Sequence, residues 1–232
     1  MVKLVLWGVR RPGITGAEFF DGNHRVHGGL VRNAPPDFRD GIKRYTQSYV
    51  FDAAYGRTGA KVFSSVSELW YESVEALQCN LAHPYYAEQI VPDGDNFADQ
   101  SASIVHLALE EPVVSPLRGD GVKVLHWLQM ADGVDPAAFE QFWTSADGDA
   151  RGELTGLLGY VRNRVPPDAP AIAGVPPTAY EGVWIDTEAD VQAFQRYARR
   201  LQAAGAEAGV LDPDGCCYLF CHERRVIDHS VG

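Results

Sequence analysis

Apolar residues run with isolated polar ones over residues 1–8, so Val2-Lys3-Leu4-Val5-Leu6-Trp7 reads as a β-strand. The pattern returns 120 residues later as Val122-Lys123-Val124-Leu125-His126-Trp127, and at the same offset Thr15 falls on Asp135 and Phe19 on Phe139. With a shift of register, residues 45–50 match 160–165, and Glu68-Leu69-Trp70-Tyr71-Glu72-Ser73 matches Gly182-Val183-Trp184-Ile185-Asp186-Thr187. Repetition on this scale predicts two copies of one unit, residues 1–112 and 121–232, with 111–121 as the linking segment.

Each unit reads strand, helix, strand, strand, helix, strand. Thr15-Gly16-Ala17-Glu18 has the form of a capping box and starts a helix running toward Val31, and Asp135-Pro136 starts its counterpart. Strands over 42–50 and 65–71 precede a helix over 74–82 that Pro84 limits, and a strand over 103–110 closes the unit. In the second copy, strands over 157–165 and 178–185 flank a proline-rich loop at 166–177. Thr187 then caps a helix over 188–204, and a strand over 216–223 follows.

Such a unit makes a four-stranded antiparallel sheet with both helices on one face. The expected fold is therefore α+β, two ferredoxin-like βαββαβ repeats packed sheet to sheet as a pseudo-dimeric α+β barrel. Stacking would cover Trp7, Trp70, Trp127 and Trp184 and leave a pocket between the sheets. The alternative, that these rings lie under the helices as ordinary core, stays open. Lys3, Tyr45, Gln47, Glu68, His106, Lys123, His126, Tyr160, Arg162 and Glu181 are polar where strands are usually apolar, and they mark either that pocket or a wet face.

With 46% hydrophobic residues the chain is globular rather than a disordered tail. Its 20 basic against 31 acidic residues leave a formal charge of −11, and no basic run exceeds a pair. Phosphate backbones are repelled by such a surface, so nucleic acid is not an expected partner and a small neutral or aromatic molecule is. Cys79, Cys216, Cys217 and Cys221 form no C-x-x-C pair and suit a reducing cytoplasm. No secretory leader and no apolar stretch of about 18 residues is legible, so neither export nor a membrane is expected.

His24 and His27 share a helix face, and an imidazole facing a cavity is a natural general acid or base. No H-E-x-x-H, clustered Cys/His, G-x-S-x-G, G-x-G-x-x-G or P-loop pattern is present, so no metal and no nucleotide cofactor is expected.

These residues carry a family resemblance. Val2-Lys3-Leu4-Val5-Leu6, Arg10-Arg11-Pro12-Gly13, Glu18-Phe19, His27-Gly28-Gly29-Leu30-Val31, Glu68-Leu69-Trp70-Tyr71 and Asp95-Asn96-Phe97-Ala98-Asp99 resemble the EthD domain family of the dimeric α+β barrel superfamily. The second half resembles it more faintly, which makes the chain similar to a tandem EthD protein. Family members show Trp-x-x-x-His-x-Pro-Leu in the first helix. Here Asn23 stands at the Trp position, His27 keeps the His and Gly29 replaces the Pro, whereas the second copy has Trp143 and Asp147 at the first two. Each copy keeps half of the motif, which concentrates proton chemistry in the first.

The resemblance implies a dehydratase-like lyase acting on an aromatic, polyketide-like or cyclic carbonyl compound without a cofactor. His27 would be the base, with Asp99, Tyr45 or His106 assisting. Trp7, Trp70, Tyr85, Asn96, Phe97, His126 and Trp127 would hold the substrate. Competing readings are a cofactor-free monooxygenase of a phenol or quinol, which would consume oxygen, and a non-catalytic ligand-binding accessory protein. Haem, which the wider superfamily also uses, would show a Soret band. A monomer with an internal pseudo-dimer or a homodimer would satisfy the expected pairing.

Overall fold

The first strand forms as expected, β1 (Val2–Gly8), and the helix after it starts on the anticipated box: Thr15 Oγ1 accepts from the Glu18 amide while the Glu18 carboxylate accepts from the Thr15 amide. The computed structural model describes residues 1–51, 63–115, 121–152, 154, 156–166 and 172–229, without the side chains of 147–150 and 188. Helix α1 spans 16–32 and is α-helical over Gly16–Phe20, π-helical over Asp21–His27 and α-helical again over Gly28–Arg32. Then come α2 (Pro36–Arg39), β2 (Arg44–Val50), β3 (Ser65–Tyr71), α3 (Val74–Leu81) and α4, π-helical over Tyr86–Ile90 and α-helical over Val91–Gly94. Strand β4 (Ile104–Val114) leads to β5 (Val122–Leu128), α5 (Pro136–Arg151), β6 (Leu157–Arg164), β7 (Ala179–Ile185), α6 (Val191–Glu207) and β8 (Cys217–Asp228).

The eight strands close into one antiparallel barrel in the order β1-β3-β2-β8-β5-β7-β6-β4. This corrects the expectation of two ferredoxin-like sheets packed face to face. Two open sheets would leave four strand edges with unpaired backbone groups, and such edges seek partners. Here β2 pairs with β8 and β4 with β6, so the edges satisfy each other. Register shifts at Tyr45/Thr46, Pro112/Val114 and Leu157/Gly159 bend strands that take part in these seams. Residues 111–114, expected in a linker, belong to β4 because they pair across the β4–β6 seam. The rest of that linker at 116–120, and 167–171 of the expected proline-rich loop, lie outside the described residues.

Among the described residues, side chains fill the space between the strands where a chamber was expected, because an eight-stranded barrel is just wide enough for them. Trp7 and Trp127 meet at 5.0 Å between ring centroids, with Phe63, Val66, Tyr180, Leu219 and Cys221 around them. Beside this apolar plug lies a buried ionic cluster. Lys3 donates to Glu68 Oε1 (2.8 Å), Lys123 to Glu68 Oε2 (2.5 Å), and Tyr180 to Glu68 Oε1 (3.0 Å). Burial opposes ionisation of Glu68, but the ammonium groups of Lys123 and Lys3 outweigh it and hold the carboxyl far below its ordinary range. Lys3 and Lys123, which the sequence left to either a pocket or a wet face, are 1% exposed.

The barrel's outer face carries the helices. In the second half α6 buries Val191, Phe194, Tyr197, Ala198 and Leu201 at helical spacing against β5, β7 and β8, and α5 adds Phe139 and Trp143. In the first half Leu4, Val31, Phe38, Tyr45, Tyr71, Leu77 and Ile90 form the corresponding cluster.

Pair registers place the halves in correspondence. Leu6 opposes Ser67 and Gly8 opposes Ser65 in β1–β3, and His126 opposes Glu181 and Leu128 opposes Ala179 in β5–β7. Likewise Tyr45 opposes Leu69 as Tyr160 opposes Val183.

Candidate active site

A cavity of about 430 Å³ opens between the outer face of β1, β2 and β3 and helices α1 and α4. Small residues leave room for it, two of them at positions where the second half has larger side chains. Gly8, Ser65 and Ser67 line it, whereas Leu128, Ala179 and Glu181 occupy the matching register positions. Asn23 also lines it, and Trp143, which stands at the matching offset, is a fully buried core ring.

His27 faces this cavity from the end of the π-helical segment. Its Nδ1 lies 3.0 Å from Asp93 Oδ2. A carboxylate only accepts, so Nδ1 carries a proton and Nε2 is left with the lone pair. The Asn96 amide nitrogen is 3.4 Å from the other Asp93 oxygen, and the Phe97 ring packs edge-on to His27 at 5.4 Å. Gly22 permits this approach of α1, since a Cβ there would sit 3.0 Å from the Phe97 Cβ. Walls of Leu4, Leu6, Val31, Ile42, Leu69 and Ile90 make the space mainly apolar, with room for a fused aromatic ring system.

The π-helical turn also sets the polar end. It directs the Asn23 carbonyl to accept both from the Gly28 amide and from Gln47 Nε2 (2.9 Å). Gln47 is fully buried, and the same nitrogen also lies 2.9 Å from Asn23 Oδ1 and 2.7 Å from the Tyr45 oxygen, so its two protons are shared among three acceptors. Gln47 Oε1 accepts from Tyr49 (2.9 Å) and from His24 Nδ1 (2.9 Å). Asn23 Nδ2 donates to Ser65 Oγ (3.2 Å). Burial pushes the Tyr45 phenol up to about 12, against the pull of its hydrogen bonds with Ser67 and Gln47, so it is a neutral donor at ordinary pH.

Of the residues singled out in the sequence, His27, Tyr45 and Phe97 line the cavity, and Asn96 sits behind Asp93. The others lie elsewhere. Asp99 accepts from Ser101 and Ala102 in an exposed turn. His106 is inside the barrel, accepting from Trp7 Nε1 at Nε2 (2.9 Å) and donating to the Leu107 carbonyl. Trp7 and Trp127 are barrel core, and Trp70 lies beneath the Arg44 guanidinium, 3.5 Å from its ring centre. Tyr85 packs on Phe38 and donates to the Leu30 carbonyl. His126 belongs to the second half, where its Nδ1 meets Glu181 Oε2 (2.8 Å), and Glu181 Oε1 accepts from Trp143, Tyr160 and Tyr197. That cluster is fully buried. The Asp147 side chain lies outside the described residues.

Sequence reasoning missed Asp93, Ser65 and Ser67. The signal for Asp93 was slight: an acid in Pro92-Asp93-Gly94, two residues before the Asp95–Asp99 stretch already noted. Two serines alternating on one strand gave none beyond their position on a shared face.

Residues 11–101 match the model of the EthD domain, a stretch that contains α1, β2, β3, α3 and α4 and most of the cavity lining. A decarboxylase, nsrE, from Aspergillus novofumigatus (strain IBT 16806) is 27% identical over 132 residues, spanning 52% of this chain and 85% of the relative. Among solved structures, an anthrone oxidase-like protein aligns with a TM-score of 0.61 at 12% identity, over 98% of this chain and 94% of its own. A mutant chlorite dismutase from Candidatus Nitrospira defluvii in complex with cyanide aligns at 0.53 and 9% identity, over 97% and 91%. At such identities these structures speak for the fold alone.

Proposed function

We propose that the chain is a small-molecule lyase that uses the His27–Asp93 pair for proton transfer on an aromatic or cyclic carbonyl compound. The observation that carries this reading is an imidazole at a largely apolar cavity, its Nδ1 held by a carboxylate and its Nε2 without a hydrogen-bond partner among the described residues. In a dehydration, Nε2 takes the proton beside the carbonyl, the C–H electrons form the new double bond, and the β-hydroxyl leaves with a proton from the imidazolium just formed. Asp93 stabilises that imidazolium and fixes the ring's orientation.

A second reading, decarboxylation, is favoured by the decarboxylase relative. It needs the same groups. Loss of carbon dioxide from a β-keto acid leaves an enolate, which an imidazolium at position 27 protonates at carbon. A further part of the proposal is that the chain is a tandem of two EthD-like units, supported by the repeated strand registers, with the His27 pocket in the first.

Incubating the protein with cyclic β-hydroxy ketones and β-keto acids and following mass separates the reactions: loss of water, loss of carbon dioxide, or gain of oxygen. Turnover that stops without oxygen would replace the lyase reading by a monooxygenase. Ligand binding without product would make it an accessory protein.

A further inference from the structure

The polar end of the cavity has a fixed hydrogen-bond direction, which follows from one backbone atom. The Asn23 carbonyl can only accept, so the Gln47 group 2.9 Å from it is the amide nitrogen. The same nitrogen also faces the Tyr45 oxygen and Asn23 Oδ1, and Asn23 is left with its own nitrogen facing Ser65 Oγ. Two short chains result. In one, Asn23 donates to Ser65, whose proton has no described acceptor in the protein. In the other, Gln47 donates to Tyr45, which lines the cavity together with Ser67. Each chain ends on a hydroxyl that lines the cavity.

We infer that Ser65, together with the Tyr45–Ser67 pair, forms an oxyanion site that receives the enolate or phenolate oxygen of the bound molecule, with Asn23 and Gln47 as positioning residues. This deepens the reading of the cavity as a seat of carbonyl chemistry and rests on it. Preset hydroxyl donors in a mainly apolar space stabilise a developing negative oxygen because they need no reorganisation when the charge appears. Gly8 keeps the space beside them open, since a Cβ there would stand 3.1 Å from Ser65 Oγ. The second half has Ala179 and Leu128 at the Ser65 and Gly8 positions and a carboxylate, Glu181, at the Ser67 position, which would repel an oxyanion. The assigned substrate class is thus a ring compound whose carbonyl oxygen becomes anionic, not one that presents an extra cation.

The test uses a halogenated 2-naphthol that is ionised at the assay pH and its uncharged methyl ether, with binding followed by absorbance and by calorimetry. The wild type should bind the naphtholate at least about 10-fold more tightly than the ether. Ser65→Ala should remove most of that preference and leave ether affinity unchanged. Asn23→Ala, which removes the group that orients Ser65, should give a smaller loss in the same direction, and Ser65→Thr should restore it in part. Thermal midpoints within a few degrees of wild type show that each variant is folded. Equal wild-type affinity for the two probes, or no binding of either, overturns the inference. So does a parallel loss of both in Ser65→Ala, which marks a structural role. Naphtholate preference in a protein that turns over no carbonyl substrate would keep the oxyanion site and remove the lyase reading instead.

Discussion

His27 and Asp93, 66 residues apart in sequence, meet with Nδ1 and Oδ2 at 3.0 Å where the π-helical part of α1 passes α4. The contact decides which imidazole nitrogen can exchange a proton with a molecule in the cavity. If the pair works as proposed, His27→Ala lowers kcat/KM by about 10²- to 10⁴-fold on a confirmed substrate. Asp93→Asn lowers kcat by about 10-fold or more with KM little changed, because the amide no longer stabilises the imidazolium. Steady-state kinetics on both variants check this, and an Asp93→Asn enzyme with full kcat would exclude the dyad.

Gly8 and Leu128 hold matching register positions, and the glycine lines the first-half cavity. Gly8→Leu should therefore fill that pocket with the side chain the second half carries at the matching position. Binding of a 2-naphthol probe is expected to weaken at least about 10-fold, with a stability loss of about 1–3 kcal/mol because a Cβ at position 8 already crowds Ser65 Oγ at 3.1 Å. Calorimetric titration beside a denaturant melt measures both quantities, and retained affinity would place the bound ring elsewhere.

Glu68 joins Lys3 and Lys123, one from each half, inside the barrel. Glu68→Gln leaves two buried ammonium groups short of a counter-charge, although Glu110 and Glu223 remain beside them. Removing one member of a buried ionic group typically costs about 3–5 kcal/mol, so the urea midpoint should drop sharply while the lining of the cavity stays intact. A midpoint unchanged within error would show that the network contributes little to the fold.

Burial pushes His106 down to about 4, more than its bond to the Leu107 carbonyl can offset. The unfolded imidazole titrates near 6.5. Above that value neither state binds the proton, and the histidine adds no pH dependence. As pH falls from about 6.5 toward 4, the unfolded chain takes up a proton that the folded one refuses, and stability declines by about 3 kcal/mol in total. His106→Gln should flatten this part of the stability profile, as denaturant melts at pH 7, 6, 5 and 4 would show. An equally steep fall in the variant would assign the acid sensitivity to other groups.

The amino-acid pattern alone determined the strands, the long helices and the Thr15 cap, because alternation, helical spacing and a Ser/Thr-x-x-Glu box act within a few residues. The expected Thr187 cap does not form: α6 starts after Asp190, and Thr187 donates to the Asp190 carboxylate instead. The pattern also singled out His27, and the repeat beginning at Val2 and Val122. Tertiary structure decided the rest. Whether Trp7 and Trp127 face a chamber or each other depends on β2 meeting β8 and β4 meeting β6, pairings between residues more than 40 positions apart that no local pattern encodes. The same holds for the partner of His27. Asp93 becomes visible only when two helices pass, and the serines matter only because Gly8 and Asn23 leave space above them. Short-range preferences are written in neighbouring side chains, whereas a cavity is defined by what distant segments fail to fill.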